Sequence, residues 1–226
     1  MCPQDSDDAL GSDNTDAFAV TAATWLASTI GEVLHQRGVC HLAVSGGSTP
    51  APTFEALSEM RVEWDGVHVW QVDERVAPDG DPARNAVGLL SSLVDRVSLP
   101  EANLHLMPVT VDDLGQGAAD YAAALHARCA GILDIVHLGL GADGHTASWP
   151  PGDPVIDVDD RDIALSGEYQ GHIRMTMTVP CVNRAHRRLF LVRGPDKAEA
   201  LAALLENTGT IPANRVTLTE TTVLSN

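Results

Sequence analysis

Lysine occurs once in this chain, at position 197, against thirteen arginines, and 31 acidic residues outnumber 14 basic ones for a formal charge of −17. Nucleic acid and acidic membrane surfaces both need a cationic footprint, so neither is expected as a partner. An anionic small molecule is admissible only if a few positive groups are concentrated in one place. Cysteine is scarce too: Cys2, Cys40, Cys129 and Cys181 stand far apart, with no Cys-x-x-Cys pair. They read as reduced thiols of a cytoplasmic protein, and neither a metal nor another cofactor is expected. No apolar run approaches the roughly 20 residues of a membrane span. The polar, acidic stretch 1–16 does not read as a secretory signal. Aromatic residues make up only 4% of the chain. With Ala, Val and Leu abundant instead, helices packed on an apolar sheet are favoured.

What is present suits one α/β domain: 226 residues, 44% of them hydrophobic. Residues 1–13 read as a flexible leader and 14–226 as a single domain. Phe18, Ala22, Leu26 and Ile30 recur at helical spacing and predict a helix over 14–38. An apolar strand over 39–44 follows. Thr49 as N-cap and Pro50 as first residue open a second helix to about residue 60. Strands are predicted over 67–72, 104–109, 132–140, 163–165, 174–179 and 188–192, and helices over 85–97, 114–130 and 195–205. This alternation predicts a mostly parallel sheet flanked by helices on both faces, a Rossmann-like three-layer sandwich. In such a sheet the carboxyl ends of all strands share one rim, where ligands bind.

Polar motifs follow four of those strands. Ser45-Gly46-Gly47-Ser48-Thr49-Pro50 is a Gly-Gly turn leading to a helix N-terminus, suited to an anion but equally readable as a plain connecting turn. The lysine of a nucleotide-binding loop is missing, so ATP is not supported. Asp73-Glu74-Arg75 follows the next strand. Gly139 to His145 places Asp143 and His145, a carboxylate and an imidazole, two residues apart on a glycine-rich loop, as proton transfer requires. Gly139-x-Gly141-x-x-Gly144 also spells a dinucleotide fingerprint, but the helix that fingerprint needs would run into Pro150 and Pro151. His35, His126 and His186 show no partner pattern. The single lysine, Lys197, comes just after Gly194-Pro195-Asp196. Arg75 and Arg174 are the other candidate positive contacts, Arg75 with a competing role in pairing to Asp73 or Glu74.

On these residues the chain resembles the 6-phosphogluconolactonases, in the wider group that includes glucosamine-6-phosphate deaminase/isomerase. The likeness runs from Leu42 to about Arg215. It is carried by the Ser45–Pro50 turn, by Asp73-Glu74-Arg75 with Asn85, and by the loop Gly139-x-Gly141-x-Asp143-Gly144-His145-Thr146-Ala147-Ser148 with Pro151-Gly152. Arg174-Met175-Thr176 and Gly194-x-x-Lys197-Ala198 are weaker matches. The resemblance implies metal-free hydrolysis of a sugar-phosphate lactone with His145 as general base, and Asp143 and Asp73 as further proton-transfer candidates. Gly46, Gly47, Ser48, Arg75, Asn85, Arg174 and Lys197 would hold the phosphorylated substrate. Deaminases of the group carry a glutamate five residues after the loop histidine; here that position is Pro150. Two departures stand out. Trp149-Pro150 replaces the usual Leu-Phe, which is expected to reshape the pocket mouth, and the closing Trp and Asp of the family are missing. A sugar-phosphate sensor that hydrolyses nothing is the alternative outside enzymes.

Overall fold

The computed structural model describes residues 9–226, with side chains from residue 17 onward. Residues 1–8 of the expected leader lie outside the described residues. At Ala9 the backbone is already in helix α1 (Ala9–Arg37), which runs ahead of the expected start at residue 14. Gly38, at φ +74°, ends this helix by donating to Leu34 O at 2.8 Å. Then come β1 (Cys40–Val44), α2 (Pro50–Ser58), β2 (Val67–Gln71), β3 (Asp73–Arg75), α3 (Asn85–Ser92) and β4 (Leu104–His105). The second half holds α4 (Leu114–Cys129), β5 (Ile135–Gly139), β6 (Ile163–Leu165), β7 (Arg174–Met177), α5 (Val179–Asn183), β8 (Arg187–Val192), α6 (Ala198–Leu205) and β9 (Thr221–Ser225).

Six strands form one sheet in the order β4-β2-β1-β5-β8-β9, every neighbouring pair parallel. Successive side chains of a strand face opposite ways, so each strand serves two cores. Leu42 and Val44 of β1 and Val67 and Val69 of β2 pack with Phe18, Leu26 and Ile30 of α1 and Phe54 and Leu57 of α2. Ala43, Trp70, Val136, Leu138 and Phe190 face the other way, onto Tyr121 and Leu125 of α4 and Leu204 of α6. The expected three-layer α/β sandwich is therefore the architecture of this chain.

Some expectations need correction. The 21 residues Ala17–Arg37 are long and apolar enough to cross a membrane, by length and composition. In the fold, their Phe18, Ala22, Leu26 and Ile30 are buried against the sheet. The strand expected over 104–109 ends at His105: Met107 N donates to the Gln71 side-chain oxygen at 2.7 Å, and Pro108 has no N–H to offer a ladder. That over 174–179 stops at Met177, because Pro180 sits in the first turn of α5. The helix over 85–97 is α3 only to Ser92, followed by a 3-10 turn at Val94–Arg96. Asp73-Glu74-Arg75, expected as a post-strand loop, is itself a strand. It leaves the main sheet after Val72 and forms a second, antiparallel sheet in the order β3-β7-β6.

From β1 the chain proceeds outward to β2 and β4, then returns to set β5 on the other side of β1 before continuing to β8 and β9. The connections leaving β1 and β5 thus diverge. In an open parallel sheet that divergence leaves a crevice beyond the strand ends.

Candidate active site

A cleft of about 510 Å³ occupies this crevice. The turn after β1, the loop after β5, the small sheet and the turn after β8 each supply part of its wall. Of the residues expected in the site, Gly46, Gly47, Ser48, Asp73, Arg75, Asn85, His145, Arg174 and Lys197 line the cleft, and Asp143 stands behind His145.

The loop after β5 folds tightly. Gly141 N donates to His145 O at 2.8 Å, and a Cβ at Gly141 would overlap the His145 ring and the Asp143 carboxylate. Only glycine allows that approach. Thr146 Oγ1 donates to Gly139 O at 2.7 Å, and Ala147 is left-handed at φ +49°. Beyond it the loop is clamped onto the small sheet: Ser148 N donates to Thr176 Oγ1 at 3.2 Å, Ser148 Oγ to Asp73 Oδ2 at 2.6 Å, and Trp149 Nε1 to Met177 O at 2.8 Å. Trp149 is fully buried. The expected reshaping of the pocket mouth is corrected accordingly: the indole is an anchor in the core.

His145 Nδ1 lies 2.6 Å from Asp143 Oδ1, and Tyr169 Oη donates to Asp143 Oδ2 at 2.7 Å. Burial pushes the Asp143 carboxyl upward, but the hydrogen bonds from Tyr169 and His145 outweigh it and hold the group below its ordinary value. The carboxylate is ionised and accepts only. Its partner Nδ1 therefore carries the hydrogen, which leaves the Nε2 lone pair of His145 for a proton from outside.

Glu74 and Asp73 are neighbours with different tasks. Glu74 is fully buried and accepts from Asn85 N at 2.6 Å, Ala86 N at 2.8 Å and Gln71 Nε2 at 2.9 Å, with Arg84 Nε 3.1 Å away. It satisfies the first N–H groups of α3 and is spent on structure. Arg84, also buried, is its counter-charge, so Arg75 does not fill the pairing role with Glu74's side chain. Asp73 lines the cleft; burial first of all raises its carboxyl, opposed by the Ser148 hydroxyl and the Arg75 and Arg174 charges. Asn85 donates to Asp73 O at 2.9 Å, while its Oδ1 is buried without a partner. A Cβ on Gly46 would overlap the Asn85 side chain, so the Gly-Gly turn also needs glycine for close approach.

Positive groups are concentrated here as the overall charge demands. Arg75 and Arg174 are direct partners across β3 and β7. Arg75 Nη1 donates to Ala83 O at 2.6 Å, and Arg174 Nη2 to Gln170 Oε1 at 3.2 Å. The Nε of both is buried with no hydrogen bond. Two orphaned guanidinium donors side by side mark a place for an anion. Burial, and then the Arg75 charge, lower the affinity of Arg174 for its proton. Lys197 lies across the cleft, 3.0 Å from Asp196. The Gly-Gly turn contributes backbone N–H groups, but α2 opens Pro50-Ala51-Pro52, and neither proline has one. Thr49 occupies the N-cap position without a side-chain cap bond.

Sequence reasoning missed Tyr169, Gln170 and Arg193 at this site. Gln170-Gly171 forms a tight hairpin turn, but glutamine in place of asparagine hides that signal. His137 was missed as well. It is fully buried beneath the Gly-Gly turn with Nδ1 3.3 Å from Ser45 N, and burial lowers it to about 3, keeping it neutral. Among the described residues, no three His, Cys, Asp or Glu side chains are grouped to hold a metal ion.

The profile of the family described as glucosamine-6-phosphate isomerases/6-phosphogluconolactonase matches residues 13–224. The chain belongs to this family. It is 37% identical over 189 residues to the 6-phosphogluconolactonase of Synechocystis sp., spanning 81% of this chain and 78% of that one. To the 6-phosphogluconolactonase of Nostoc sp. it is 36% identical over 175 residues, 75% and 72% of the two chains. The crystal structure of 6-phosphogluconolactonase from Thermotoga maritima superposes with a TM-score of 0.84 at 25% identity, over 92% of this chain and 94% of that one.

Proposed function

We propose that this protein is a lactone hydrolase that opens 6-phospho-D-glucono-1,5-lactone to 6-phosphogluconate, the second step of the oxidative pentose phosphate pathway. Residues 14–226 act in it as one domain. Free Cys40, Cys129 and Cys181 suit the reducing cytoplasm. The observation that carries the reading is the pairing of His145 with Asp143 at 2.6 Å beside two buried, unpartnered arginine donors.

The chemistry follows from that arrangement. The phosphate lies against Gly46, Gly47 and Ser48, with Arg75, Arg174 and Lys197 as counter-charges. His145 Nε2 takes a proton from water as the oxygen attacks the lactone carbonyl, and the carbonyl π electrons move onto its oxygen. When the tetrahedral adduct collapses, the C1–O5 bond breaks and the ring oxygen takes the proton from Nε2. Asp143 accepts from Nδ1 throughout and stabilises the transient imidazolium. A lactone is electrophilic enough for this without a metal. Base catalysis of this kind gives about 10²–10⁴-fold, with positioning adding more. Asp73 is the second candidate base, but its carboxylate is engaged by Ser148. The deaminase reading has no carboxylate five residues after His145, where Pro150 is buried.

The decisive experiment generates the lactone in situ and follows its disappearance above the spontaneous rate, with wild type beside His145→Ala. Acceleration lost in the variant is the expected result. Acceleration that survives removes His145 as base and leaves Asp73 to be tested. No acceleration, with tight 6-phosphogluconate binding, replaces the enzyme by a sensor, and ammonia released from glucosamine 6-phosphate would make it a deaminase.

A further inference from the structure

Between β6 and β7 the chain reverses at Tyr169-Gln170-Gly171-His172. Tyr169 N donates to His172 O at 2.9 Å and His172 N to Tyr169 O at 3.3 Å. Both central residues are left-handed, Gln170 at φ +51° and Gly171 at φ +81°, as a two-residue type I′ hairpin requires. A left-handed glutamine is disfavoured backbone, kept only where surrounding contacts hold it. Here the contacts come from the cleft. Tyr169 meets the His145 ring edge-to-face at 5.3 Å between centroids, and the Arg174 guanidinium lies 4.9 Å from the centre of the Tyr169 ring.

Hydrogen bonds run without a break from the anion side of the cleft to the base. Arg174 Nη2 donates to Gln170 Oε1 at 3.2 Å, Gln170 Nε2 to Tyr169 Oη at 3.2 Å, and Tyr169 Oη to Asp143 Oδ2 at 2.7 Å. Asp143 Oδ1 is 2.6 Å from His145 Nδ1. The polarity of this chain is set at both ends. A guanidinium only donates, so the Gln170 oxygen faces it and the Gln170 nitrogen faces the tyrosine. The ionised Asp143 only accepts, so Tyr169 and His145 Nδ1 both donate to it. Burial and the Asp143 bond raise the Tyr169 hydroxyl to about 12, so it keeps its proton.

We propose that Tyr169 and Gln170 are positioning residues for the hydrolysis: they hold Asp143 against His145 and tie that pair to Arg174, so that the substrate's phosphate helps to set the base. The proposal rests on the assignment of His145 as the base. It predicts that the phosphate contributes to kcat as well as to KM, which is how remote binding energy reaches a reacting centre.

The test compares Tyr169→Phe and Gln170→Ala with wild type on 6-phosphogluconolactone and on glucono-1,5-lactone, which lacks the phosphate. Phenylalanine keeps the ring under Arg174 and removes only the hydroxyl. Tyr169→Phe is expected to lower kcat on the phosphorylated substrate about tenfold, the size of one hydrogen bond to a charged group. KM should stay within about twofold, and the kcat gap between the two substrates should shrink. Gln170→Ala should shrink that gap in the same direction. Equal losses on both substrates would overturn the link to Arg174. Unchanged kcat and KM in Tyr169→Phe, with turnover abolished in His145→Ala, would overturn the proposal and leave the base standing. Turnover surviving in His145→Ala would remove the base itself, a separate result. Should Tyr169→Phe fold poorly, ¹⁵N NMR of wild-type His145 decides instead. Hydrogen on Nδ1 is expected, and hydrogen on Nε2 would overturn the proposal.

Discussion

Among the described residues two histidine–aspartate pairs are of nearly equal length, His145–Asp143 at 2.6 Å and His126–Asp162 at 2.7 Å. His126 was expected to have no partner; it pairs across α4 and the start of the small sheet. The second oxygen of Asp162 is taken by Arg184 at 2.6 Å, whereas that of Asp143 is taken by a tyrosine hydroxyl. The His126 side chain is 56% exposed and forms no part of the cleft lining, while His145 is 23% exposed and lines the cleft together with Arg75 and Arg174, whose Nε groups have no hydrogen bond. An imidazole beside a carboxylate is therefore no catalyst by itself. A guanidinium on the same aspartate consumes its charge, and bulk water leaves no substrate to act on. What distinguishes the pair at 143 and 145 is a cleft with positive groups left over.

Exchanging the two aspartates for asparagine separates the pairs most sharply. Asp143→Asn should lower kcat by about 10²–10⁴-fold, the scale of a lost, correctly oriented base, with the melting temperature nearly unchanged. Asp162→Asn should leave kcat alone and cost about 1–3 kcal/mol of stability, as a buried charged acceptor does. Equal kcat losses would break the comparison. Trp149→Ala attacks the anchor that only the His145 loop possesses; denaturation should show a loss of about 3–5 kcal/mol, the usual cost of emptying a buried indole site. Next comes a guanidinium beside each pair. Arg174→Ala should raise KM for the phosphorylated lactone by roughly tenfold or more, whereas Arg184→Ala should leave KM where it is.

A third group of histidines sharpens the contrast through pH. His41, His68 and His105 stack across β1, β2 and β4, with centroids 4.7 Å and 5.3 Å apart. Burial, then mutual repulsion, lowers His41 and His105 from 6.5 to about 4. The unfolded chain binds protons there that the fold refuses, so their contribution to stability is whole above about pH 6.5 and lost as pH falls towards 4. The melting temperature should accordingly drop across that window. A flat profile would mean that the ladder accepts protons without cost.

The loop of Asp143 and His145 was legible because its parts are local. Asp143, Gly144 and His145 are contiguous, so a single tight turn joins them wherever the loop lies. Lys197 and the Gly-Gly turn were legible for a similar reason: each directly follows a strand, and a parallel sheet gathers strand ends on one rim. Glu74 was not. In the sequence it is one more charge beside Asp73 and Arg75, and only the approach of α3 turns it into a buried cap. Nor could the adjacency of Arg75 and Arg174 be read, since ninety-odd residues separate them and antiparallel register sets the pairing.

The sequence by itself determined the alternation of strands and helices, the three-layer sandwich and the identity of the loop histidine, because apolar periodicity and glycine-rich turns act over a few residues. The tertiary structure alone decided which distant groups surround that histidine and which arginines keep an unspent donor. It alone drew Tyr169 to Asp143 and sent Trp149 into the core. Those outcomes depend on which distant groups satisfy one another first, and only the packed chain settles that.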